Sequence, residues 1–432
     1  MEQKKILIIT YYWPPAGGPG VQRWLKFAKY LPEFGWNPVI YTPENPSYPL
    51  LDESLLKDIP QNLEIIKTKI WEPYQLAEKL NKSNKKFKAG QFDVGKNQSW
   101  KSKLSIWVRG NFFIPDARVF WVKPSVKFLE QYLKENKIDV VVTSGPPHSL
   151  HMIGLGLKKK FPTLKWIADF RDPWTEISYY KHLKLTKGSD RKHRQLESTV
   201  FKTADITLAT SYTDAENFRK SGANAVCITN GFDESDASVP TDVADEKKQK
   251  TFTLSYIGVL EQLRNPENLW KVLDELVKEN QEFADNFTLK FAGRIDDKIL
   301  QSIENSNLKS HILNLGYISH DRAVEEMANS NLLLITNFPN ESSRGIIPGK
   351  IFEYLATGKQ IISFGPDAAD VSKILTKTGA GIHFGYEDSK TVKDFILEKY
   401  EFWKKGNLLE NTQDIEQFSR KNLTKKLAEI LS

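Results

Sequence analysis

The sequence predicts an α/β fold in which two doubly wound parallel sheets follow one another along the chain. Short runs that are wholly apolar alternate with longer polar or amphipathic stretches, and turn residues bound most of these runs. Continuous apolar strands that alternate with helices are typical of a parallel sheet covered on both faces. The chain has 432 residues, which is more than one hydrophobic core usually supports, so we expect two domains.

The predicted strands form two series. The first comprises KILIITYY, NPVIYT, LEIIKT, IDVVVTS, LKWIADF and ITLATS. The second starts after Thr251 and comprises FTLSYIG, FTLKFAG, ILNLGYI, NLLLITN and KQIISFG. Residues 233–250 between them are rich in Asp, Ser, Lys and Pro, which predicts a surface connection. We therefore expect an N-terminal domain over residues 1–235 and a C-terminal domain over residues 250–432, whose last helix packs back on the N-terminal domain.

Composition limits the classes of partner. The net charge of +7 favours nucleic acid, phosphorylated substrates or anionic lipid head groups. The single cysteine, Cys227, excludes an intramolecular disulfide and a thiolate metal cage, which suits a reducing cytosol. Every apolar run is shorter than the roughly 20 residues that a spanning helix needs, so we expect a cytoplasmic protein whose membrane contact, if any, is peripheral.

One basic segment, residues 81–103, interrupts the strand and helix pattern. It holds many lysines and little apolar periodicity. A solvated insertion is one interpretation. The other is a surface in which these lysines join Ile106, Trp107, Phe112 and Phe113 and contact anionic lipid.

The first strand is followed by a glycine-rich turn. Gly17, Gly18 and Gly20 precede a helix that is predicted to begin near Val21. Backbone N–H groups at such a helix start favour an anionic or strongly polar ligand, although a turn without a ligand is also possible. A dinucleotide fingerprint requires a small residue where this chain has Arg23, which argues against NAD binding.

Two later strands of the first series also end in polar residues. His148 follows a Pro-Pro turn at a carboxyl strand end, where ligands gather in open α/β folds, whereas His151 fits the interior equally well. Asp169, Arg171 and Asp172 follow the next strand. These charges form a structural ion pair or hold substrate hydroxyl groups, and the pattern does not say which carboxylate matters.

In the second series, Gly258 follows a strand and Arg264 lies shortly beyond it. A glycine permits close backbone approach, and an arginine can grip a diphosphate with two hydrogen bonds. Lys350 and Glu353 open a later helix and share one of its faces. They form either a surface ion pair or a site in which the lysine meets a phosphate and the glutamate accepts from two ribose hydroxyls.

With these motifs in this order, the chain resembles the retaining glycosyltransferases of family 4, the group-1 class with GT-B architecture. The resemblance covers nearly the whole chain and rests on the glycine-rich turn, His148, CITNGFD, GVLEQLRN and PGKIFEYLATGKQII. It implies two Rossmann-like domains facing across a cleft. It also implies transfer of a sugar, with retention, from a nucleotide-diphosphate sugar to a hydroxyl acceptor, as in cell-surface polysaccharide or glycolipid synthesis.

The resemblance assigns donor-binding roles in the C-terminal domain. Arg264 would hold the diphosphate together with Lys350 or Arg294, and Glu353 would bind the ribose. Gly258 would lie in the phosphate turn. A UDP- or GDP-linked sugar is the expected donor, and no cofactor or metal ion is expected.

In the N-terminal domain, Gly17 and Gly18 would lie against the donor. The expected catalytic residues are His148, which would touch the transferred sugar, and Asp169 and Asp172. The implied mechanism is front-face displacement, in which the leaving diphosphate helps to deprotonate the acceptor and protein cations stabilise its charge.

The sequence departs from the family at one motif. The first glutamate of the E-x7-E pattern would fall eight residues before Glu353, where this chain has Gly345, and Glu341 is out of register. Backbone amides of residues 343–347 could hold the sugar instead. The alternatives are a nucleotide-sugar epimerase of the same architecture and a catalytically silent partner subunit. A nucleic-acid-binding protein is disfavoured because no known module's motif is present.

Overall fold

The computed structural model describes residues 3–73, 100–177, 180–233, 251–406 and 412–432. The chain forms two compact units: unit 1 contains Met1–Thr229 and Arg420–Ser432, and unit 2 contains Asn230–Ser419. Each unit holds one parallel sheet, so the predicted fold class of two Rossmann-like doubly wound domains is confirmed. Residues 81–99 of the basic segment and residues 234–250 of the connection lie outside the described residues.

Unit 1 is built on a seven-stranded sheet with the order β3-β2-β1-β4-β5-β6-β7. Its strands are β1 (Lys4–Thr10), β2 (Trp36–Pro43), β3 (Glu64–Thr68), β4 (Val140–Gly145), β5 (Lys165–Phe170), β6 (Ile206–Ala209) and β7 (Ala225–Cys227). Its helices up to the connection are α1 (Pro19–Tyr30), α2 (Trp100–Phe112), α3 (Val119–Glu135), α4 (Ser149–Lys160), α5 (Lys187–Thr203) and α6 (Tyr212–Lys220).

The central strand β1 explains why these sequences form a covered sheet. Its side chains alternate between two cores, with Leu7 and Ile9 in one and Ile6 and Ile8 in the other. All four are fully buried. An uninterrupted apolar run therefore fits only a strand with helices on both faces.

Unit 2 is built on a six-stranded sheet with the order β10-β9-β8-β11-β12-β13. Its strands are β8 (Phe252–Ile257), β9 (Phe287–Ala292), β10 (Ile312–Asn314), β11 (Leu332–Thr336), β12 (Gln360–Phe364) and β13 (Gly381–Phe384). Its helices are α7 (Glu267–Glu279), α8 (Gln281–Asn286), α9 (Asp297–Glu304), α10 (His320–Ala328), α11 (Lys350–Ala356), α12 (Asp370–Thr378) and α13 (Ser389–Lys404).

The last helix, α14 (Arg420–Leu431), belongs to unit 1. Leu423, Leu427 and Leu431 are buried in the same core as α1. Lys165 Nζ donates to the carbonyls of Ile430 at 2.9 Å and Leu431 at 3.0 Å. A cation at this end satisfies carbonyls that have no partner within the helix.

Along the ranges that the structure describes, no helix combines the length and the apolar character that crossing a membrane requires.

Candidate functional site

Each sheet has one point at which its strand order reverses. In unit 1, β1 lies between β2 and β4, and in unit 2, β8 lies between β9 and β11. Open α/β sheets bind ligands at the carboxyl ends of the strands beside such a point. The residues that follow β1 and β4 therefore form the candidate site of unit 1, and those that follow β8 and β11 form that of unit 2.

The backbone in unit 2 is shaped for close approach directly after β8. Gly258 has a φ of +127°, and its N–H donates to the Ala292 carbonyl at 2.7 Å. A Cβ added at Gly258 would lie 3.0 Å from Lys350 Nζ. A Cβ at Gly293 would lie only 2.2 Å from the Gly258 carbonyl oxygen. Both positions therefore need glycine, and sequence reasoning missed this role for Gly293, the last residue of the predicted strand FTLKFAG.

Lys350 brings its ammonium group to the carboxyl end of β8. Its Nζ donates to the Ile257 carbonyl at 2.7 Å and lies 4.1 Å from the centroid of the Tyr256 ring. Burial first, and then the positive charge of Arg264, lower the pKa of Lys350 against the opposing effect of Glu353, and the resulting value is about 7. A bound anion would restore the charged form, as expected for a group at a phosphate site.

Arg264 lies beside this lysine at the end of a short 3-10 turn. Its Nη2 donates to the Val259 carbonyl at 2.7 Å, and its guanidinium carbon lies 5.8 Å from the Phe338 ring centroid. The carboxylate of Glu261 is 3.7 Å away. Nε is buried and has no hydrogen-bond partner within the described chain. Since an unpaired buried N–H of a cation is costly, this atom is available to an anionic ligand.

The structure brings Arg264, Lys350 and Glu353 together, as the sequence predicted for a donor site. The charges of Arg264 and Glu353 both act on the pKa of Lys350, and α11 carries Glu353 as a half-buried side chain. The side chain of Arg294 is exposed instead. The effect of Arg264 on the pKa of Lys350 shows that these two cations lie close together, and Arg294 stays a donor-binding prediction.

The loop after β11 carries no carboxylate at the position of the family's first glutamate, which is Gly345. Glu341 pairs with Arg344 Nε at 2.7 Å and is 71% exposed, so it does not replace that glutamate. Ser343 Oγ donates to the Asn340 carbonyl at 2.8 Å, and Asn337 Nδ2 donates to the Ile346 carbonyl at 2.8 Å. The loop is thus held by its own hydrogen bonds.

In unit 1, the glycine-rich turn leads directly into α1. Gly18 has a φ of +96°, and the Gly17 N–H donates to the Leu50 carbonyl at 3.0 Å. A Cβ at Gly20 would lie 2.2 Å from Arg171 Nη1. A side chain at Gly20 would displace the Arg171 guanidinium, whereas Gly18 is required by its backbone angle.

Arg171 ties the glycine-rich turn to the turn after β4. Its Nη1 donates to the Gly20 carbonyl at 2.7 Å, and its Nη2 donates to the Pro146 carbonyl. Its backbone N–H donates to the Gly145 carbonyl at 2.9 Å. One side chain thus fixes the spacing of the two segments that flank the candidate site.

Asp169 is fully buried, and its structural role is an ion pair with Arg23. Arg23 Nη2 lies 3.0 Å from Asp169 Oδ1, and both side chains are 0% exposed. Asp169 Oδ2 accepts from Trp24 Nε1 at 2.7 Å and from Ser144 Oγ at 2.8 Å. The structure does not support the prediction that Asp169 is catalytic, because a saturated interior carboxylate cannot touch a substrate. Asp172 is exposed and remains the candidate carboxylate.

His148 lies where the sequence predicted it, after the Pro-Pro turn that follows β4. Its ring is stacked on Trp174 with centroids 4.9 Å apart and an interplanar angle of 2°. The residue is 7% exposed, and neither ring nitrogen has a hydrogen-bond partner among the described residues. Burial first, and then the charges of His151 and Arg171, hold its pKa well below the usual range. A neutral imidazole with one unused donor and one unused acceptor results.

Two buried residues that sequence reasoning missed, His193 and Glu197, hold Trp174 in place through hydrogen bonds. Trp174 Nε1, which can only donate, lies 3.0 Å from His193 Nδ1, so His193 Nε2 carries the hydrogen and donates to the Gly110 carbonyl at 3.4 Å. The backbone N–H groups of Trp174 and Thr175 donate to Glu197 Oε1 at 3.2 and 3.1 Å. Nothing in the spacing of His193 and Glu197 within α5 indicates this role.

His151 fits the structural interpretation. It is fully buried, its Nδ1 lies 2.9 Å from Thr143 Oγ1, and its ring is stacked on Phe170 with centroids 4.3 Å apart. Burial lowers its pKa to about 3. Within the described ranges, no three His, Cys, Asp or Glu side chains are grouped so that they could hold a metal ion.

Comparisons with solved structures agree with this architecture. HepE of Anabaena, solved with UDP and glucose, is 15% identical with a TM-score of 0.58, and 99% of each chain is covered. WaaG, a glycosyltransferase involved in lipopolysaccharide biosynthesis, is 13% identical with a TM-score of 0.51 and 99% of each chain covered. A Listeria monocytogenes protein described as a UDP-N-acetylglucosamine 2-epimerase is 10% identical with a TM-score of 0.50, covering 98% of this chain and 95% of that one.

No protein-family model matches the chain, and no curated protein matches it. At these identities, likeness to solved structures establishes the fold alone. The chain therefore shares its two-sheet fold with nucleotide-sugar enzymes, and its chemistry has to be argued from its own residues.

We expect the affinity of this site for a nucleoside diphosphate such as UDP to fall as the pH rises from about 7 to about 9, because Lys350 then loses its proton whereas the phosphates are already largely ionised. Calorimetric titration across this range measures the effect. A Lys350→Met variant should bind UDP weakly at every pH in the range. A wild type whose affinity does not depend on pH would separate Lys350 from the phosphate.

The lowered pKa of Lys350 makes the stability of the fold rise with pH, whereas it makes the affinity for the nucleotide fall. Between a native pKa of about 7 and the ordinary value of 10.5, the unfolded chain holds a proton on Lys350 that the native chain does not. The contribution of Lys350 to the free energy of unfolding therefore rises with pH through this window.

Proposed function

We propose that this chain is a cytoplasmic glycosyltransferase that moves a sugar from a UDP- or GDP-linked donor to a hydroxyl acceptor with retention. The observation that carries the proposal is the cluster of Arg264, Lys350 and Glu353 at the carboxyl end of β8. Two cations and one carboxylate at a strand-order reversal match a ligand with a diphosphate and a ribose.

The donor would bind with its diphosphate against the two cations. Arg264 Nε has no hydrogen-bond partner among the described residues, and Lys350 Nζ donates a hydrogen bond to the Ile257 carbonyl. Glu353 would accept hydrogen bonds from the two ribose hydroxyls, since an ionised carboxylate only accepts. As the bond between the sugar and the diphosphate breaks, charge builds on the leaving phosphate, where fixed cations stabilise it most.

Unit 1 carries a separate candidate for sugar binding, His148. His148 is neutral and has an unused donor and an unused acceptor, so it suits a sugar hydroxyl better than a phosphate. In the proposed reaction the acceptor oxygen attacks the anomeric carbon from the face that the diphosphate leaves. The acceptor proton passes to the leaving phosphate, which makes a protein base unnecessary and leaves Asp172 to orient the acceptor.

The comparisons support the proposal at the level of the fold. HepE was solved with UDP and glucose, and WaaG acts in lipopolysaccharide synthesis. Together with the family resemblance, these neighbours favour a role in cell-surface polysaccharide or glycolipid synthesis. The epimerase neighbour favours one alternative, a nucleotide-sugar epimerase with the same nucleotide site.

A product assay separates the two functions. The purified chain is incubated with UDP-glucose, GDP-mannose or UDP-N-acetylglucosamine without an acceptor, and the products are followed by NMR. A glycosyltransferase releases free sugar and nucleoside diphosphate slowly by transfer to water. Conversion of an intact donor into its epimer would replace the proposal with the epimerase.

A Glu353→Gln variant should bind UDP about tenfold or more weakly than the wild type, because an amide supplies one neutral acceptor in place of two charged ones. It should also lose the preference of the wild type for UDP over 2′-deoxy-UDP, which lacks one ribose hydroxyl. Glu398→Gln is the control, since Glu398 is 69% exposed. Unchanged affinity for UDP in Glu353→Gln would remove this residue from the site.

We also expect donor turnover to survive excess EDTA, because Arg264 and Lys350 are placed to supply positive charge to the leaving diphosphate. Release of UDP or GDP from the donor is the readout. Activity that EDTA abolishes and magnesium or manganese restores would contradict the metal-independent mechanism.

A further inference from the structure

Unit 1 carries a cluster of exposed apolar side chains, most of them aromatic, that belongs to neither candidate site. We call it the aromatic face, and it consists of Trp71, Leu104, Trp107, Phe112, Phe113 and Phe120. All except the half-buried Phe113 are exposed, with Phe112 at 68% and Leu104 at 50%. Large apolar side chains that cluster at the surface mark an interaction site more often than scattered ones do.

The rings form two groups, each with its rings in contact, which adjoin in the chain at Phe112 and Phe113. Trp71 meets Phe120 at a centroid distance of 4.7 Å, and Phe120 meets Phe113 at 5.9 Å. Phe112 precedes Phe113 in the chain and meets Trp107 at 5.6 Å. The sequence had placed Ile106 on this surface, but that residue is 5% exposed and packs inward.

Exposed lysines adjoin the aromatic face in the chain or lie in a segment bound to α2. They are Lys69, Lys123, Lys181, Lys184 and Lys187. The last three lie in a segment that is bound to α2, since Asn111 Nδ2 donates to the Lys184 carbonyl at 3.3 Å and the Thr186 N–H donates to Asn111 Oδ1 at 2.7 Å. The rim of the face is therefore basic.

Acidic side chains do not offset this charge in the described segments 69–73, 100–128 and 180–188. Their acids are Glu72 and Asp116, and Asp190, just beyond the last segment, pairs with Arg194 Nε at 3.3 Å. Glu72 is fully buried and pairs with Arg118 Nε at 3.0 Å. Asp116 accepts from the N–H and the hydroxyl of Ser149, each at 2.8 Å. Among the described residues, the aromatic face thus presents apolar rings beside exposed lysines, while the nearby acids are buried or already bonded.

We infer that the aromatic face docks unit 1 on an anionic lipid surface. Tryptophan and phenylalanine rings enter the boundary between head groups and acyl chains, and lysines around them are attracted to anionic head groups. A protein partner fits less well, because lysine is depleted in protein interfaces. Such docking is peripheral and needs no spanning helix.

The inference goes beyond the proposed function, because lipid binding needs neither donor nor turnover. One consequence does rest on the proposed function. The carbonyl of Gly110 in α2 accepts a hydrogen bond from His193, and His193 accepts one from Trp174, the ring on which His148 is stacked. Docking through α2 would therefore bring a membrane-bound acceptor to the unit that carries His148.

Sedimentation with vesicles tests the inference on the full chain. We expect binding to vesicles that contain phosphatidylglycerol and much weaker binding to phosphatidylcholine alone. The double variant Trp107→Ser, Phe112→Ser should lower the partition coefficient at least about tenfold. The variant Lys181→Ala, Lys184→Ala should lower it about fivefold for each charge removed, and added salt should weaken binding by the wild type.

The control is Leu313→Ser, Tyr317→Ser, which removes two exposed apolar side chains of unit 2, including Tyr317 at 95% exposure. It should bind vesicles like the wild type, and circular dichroism checks that each variant is folded. Three results would overturn the inference: no vesicle binding, equal binding to neutral and anionic vesicles, or equal loss in the control. A wild-type dimer in ultracentrifugation that the face variant abolishes would instead assign the face to a second copy.

Discussion

We expect the Arg264→Ala variant to lose on the order of a hundredfold to a thousandfold in kcat while its melting temperature stays close to that of the wild type. A guanidinium aimed at the leaving diphosphate acts mainly where charge develops in the transition state. In the free protein, Arg264 makes one hydrogen bond to the Val259 carbonyl and a contact of 3.7 Å with the exposed Glu261. Interactions of this kind contribute about 0 to 1 kcal/mol to stability.

Two further variants sharpen this test. Arg264→Lys should retain part of the rate, because an ammonium keeps the charge but not the planar fork. Arg322→Ala removes an arginine that is 56% exposed and paired within α10, so it should leave kcat unchanged. Near-normal turnover in Arg264→Ala would show that Arg264 does not stabilise the leaving diphosphate.

The Asp169→Ala variant should lower the free energy of unfolding by about 3 to 5 kcal/mol, because it leaves the charge of Arg23 buried without its partner. Trp24 Nε1 and Ser144 Oγ lose their acceptor in the same variant. For a unit of this size, we expect the lowest thermal transition to fall by about 6 to 20 °C. Scanning calorimetry measures the shift.

A double variant separates the buried charge from the lost volume. Arg23→Met with Asp169→Leu removes both charges and should recover much of the stability that Asp169→Ala loses. Glu216→Ala, which breaks an exposed pair with Lys220, should change the melting temperature by no more than a few degrees. A fully stable Asp169→Ala variant with reduced turnover would return Asp169 to the catalytic residues.

Most of the strands that could be predicted are buried on both faces, whereas the partly buried edge strands β3 and β10 were predicted from the apolar runs LEIIKT and ILNLGYI. KILIITYY and FTLSYIG were recognised because continuous apolar runs of this length fit only a covered sheet. The strands β7 and β13 were missed, because they are three and four residues long and only partly buried. Short strands at a sheet edge leave no periodic pattern in the sequence.

The candidate donor site could be predicted because its residues lie in local motifs. Lys350 and Glu353 share one helix, and Arg264 follows Gly258 within a single turn. The choice between Asp169 and Asp172 could not be made from the sequence. It depends on Arg23, which is 146 residues from Asp169 along the chain and next to it in the fold. The role of His193 depends in the same way on its contacts with Trp174 and Gly110.

Nucleotide binding tests the central claim most directly. Calorimetric titration with UDP and GDP, supported by thermal shifts with UDP-, GDP-, dTDP- and CMP-linked sugars, should reveal one nucleotide that binds and raises the melting temperature by mass action. The affinity should fall at least about tenfold in Arg264→Ala and in Lys350→Met, and it should be unchanged in Arg322→Ala. Binding of none of these nucleotides, or equal binding by all four proteins, would contradict a nucleotide-sugar site at the carboxyl end of β8.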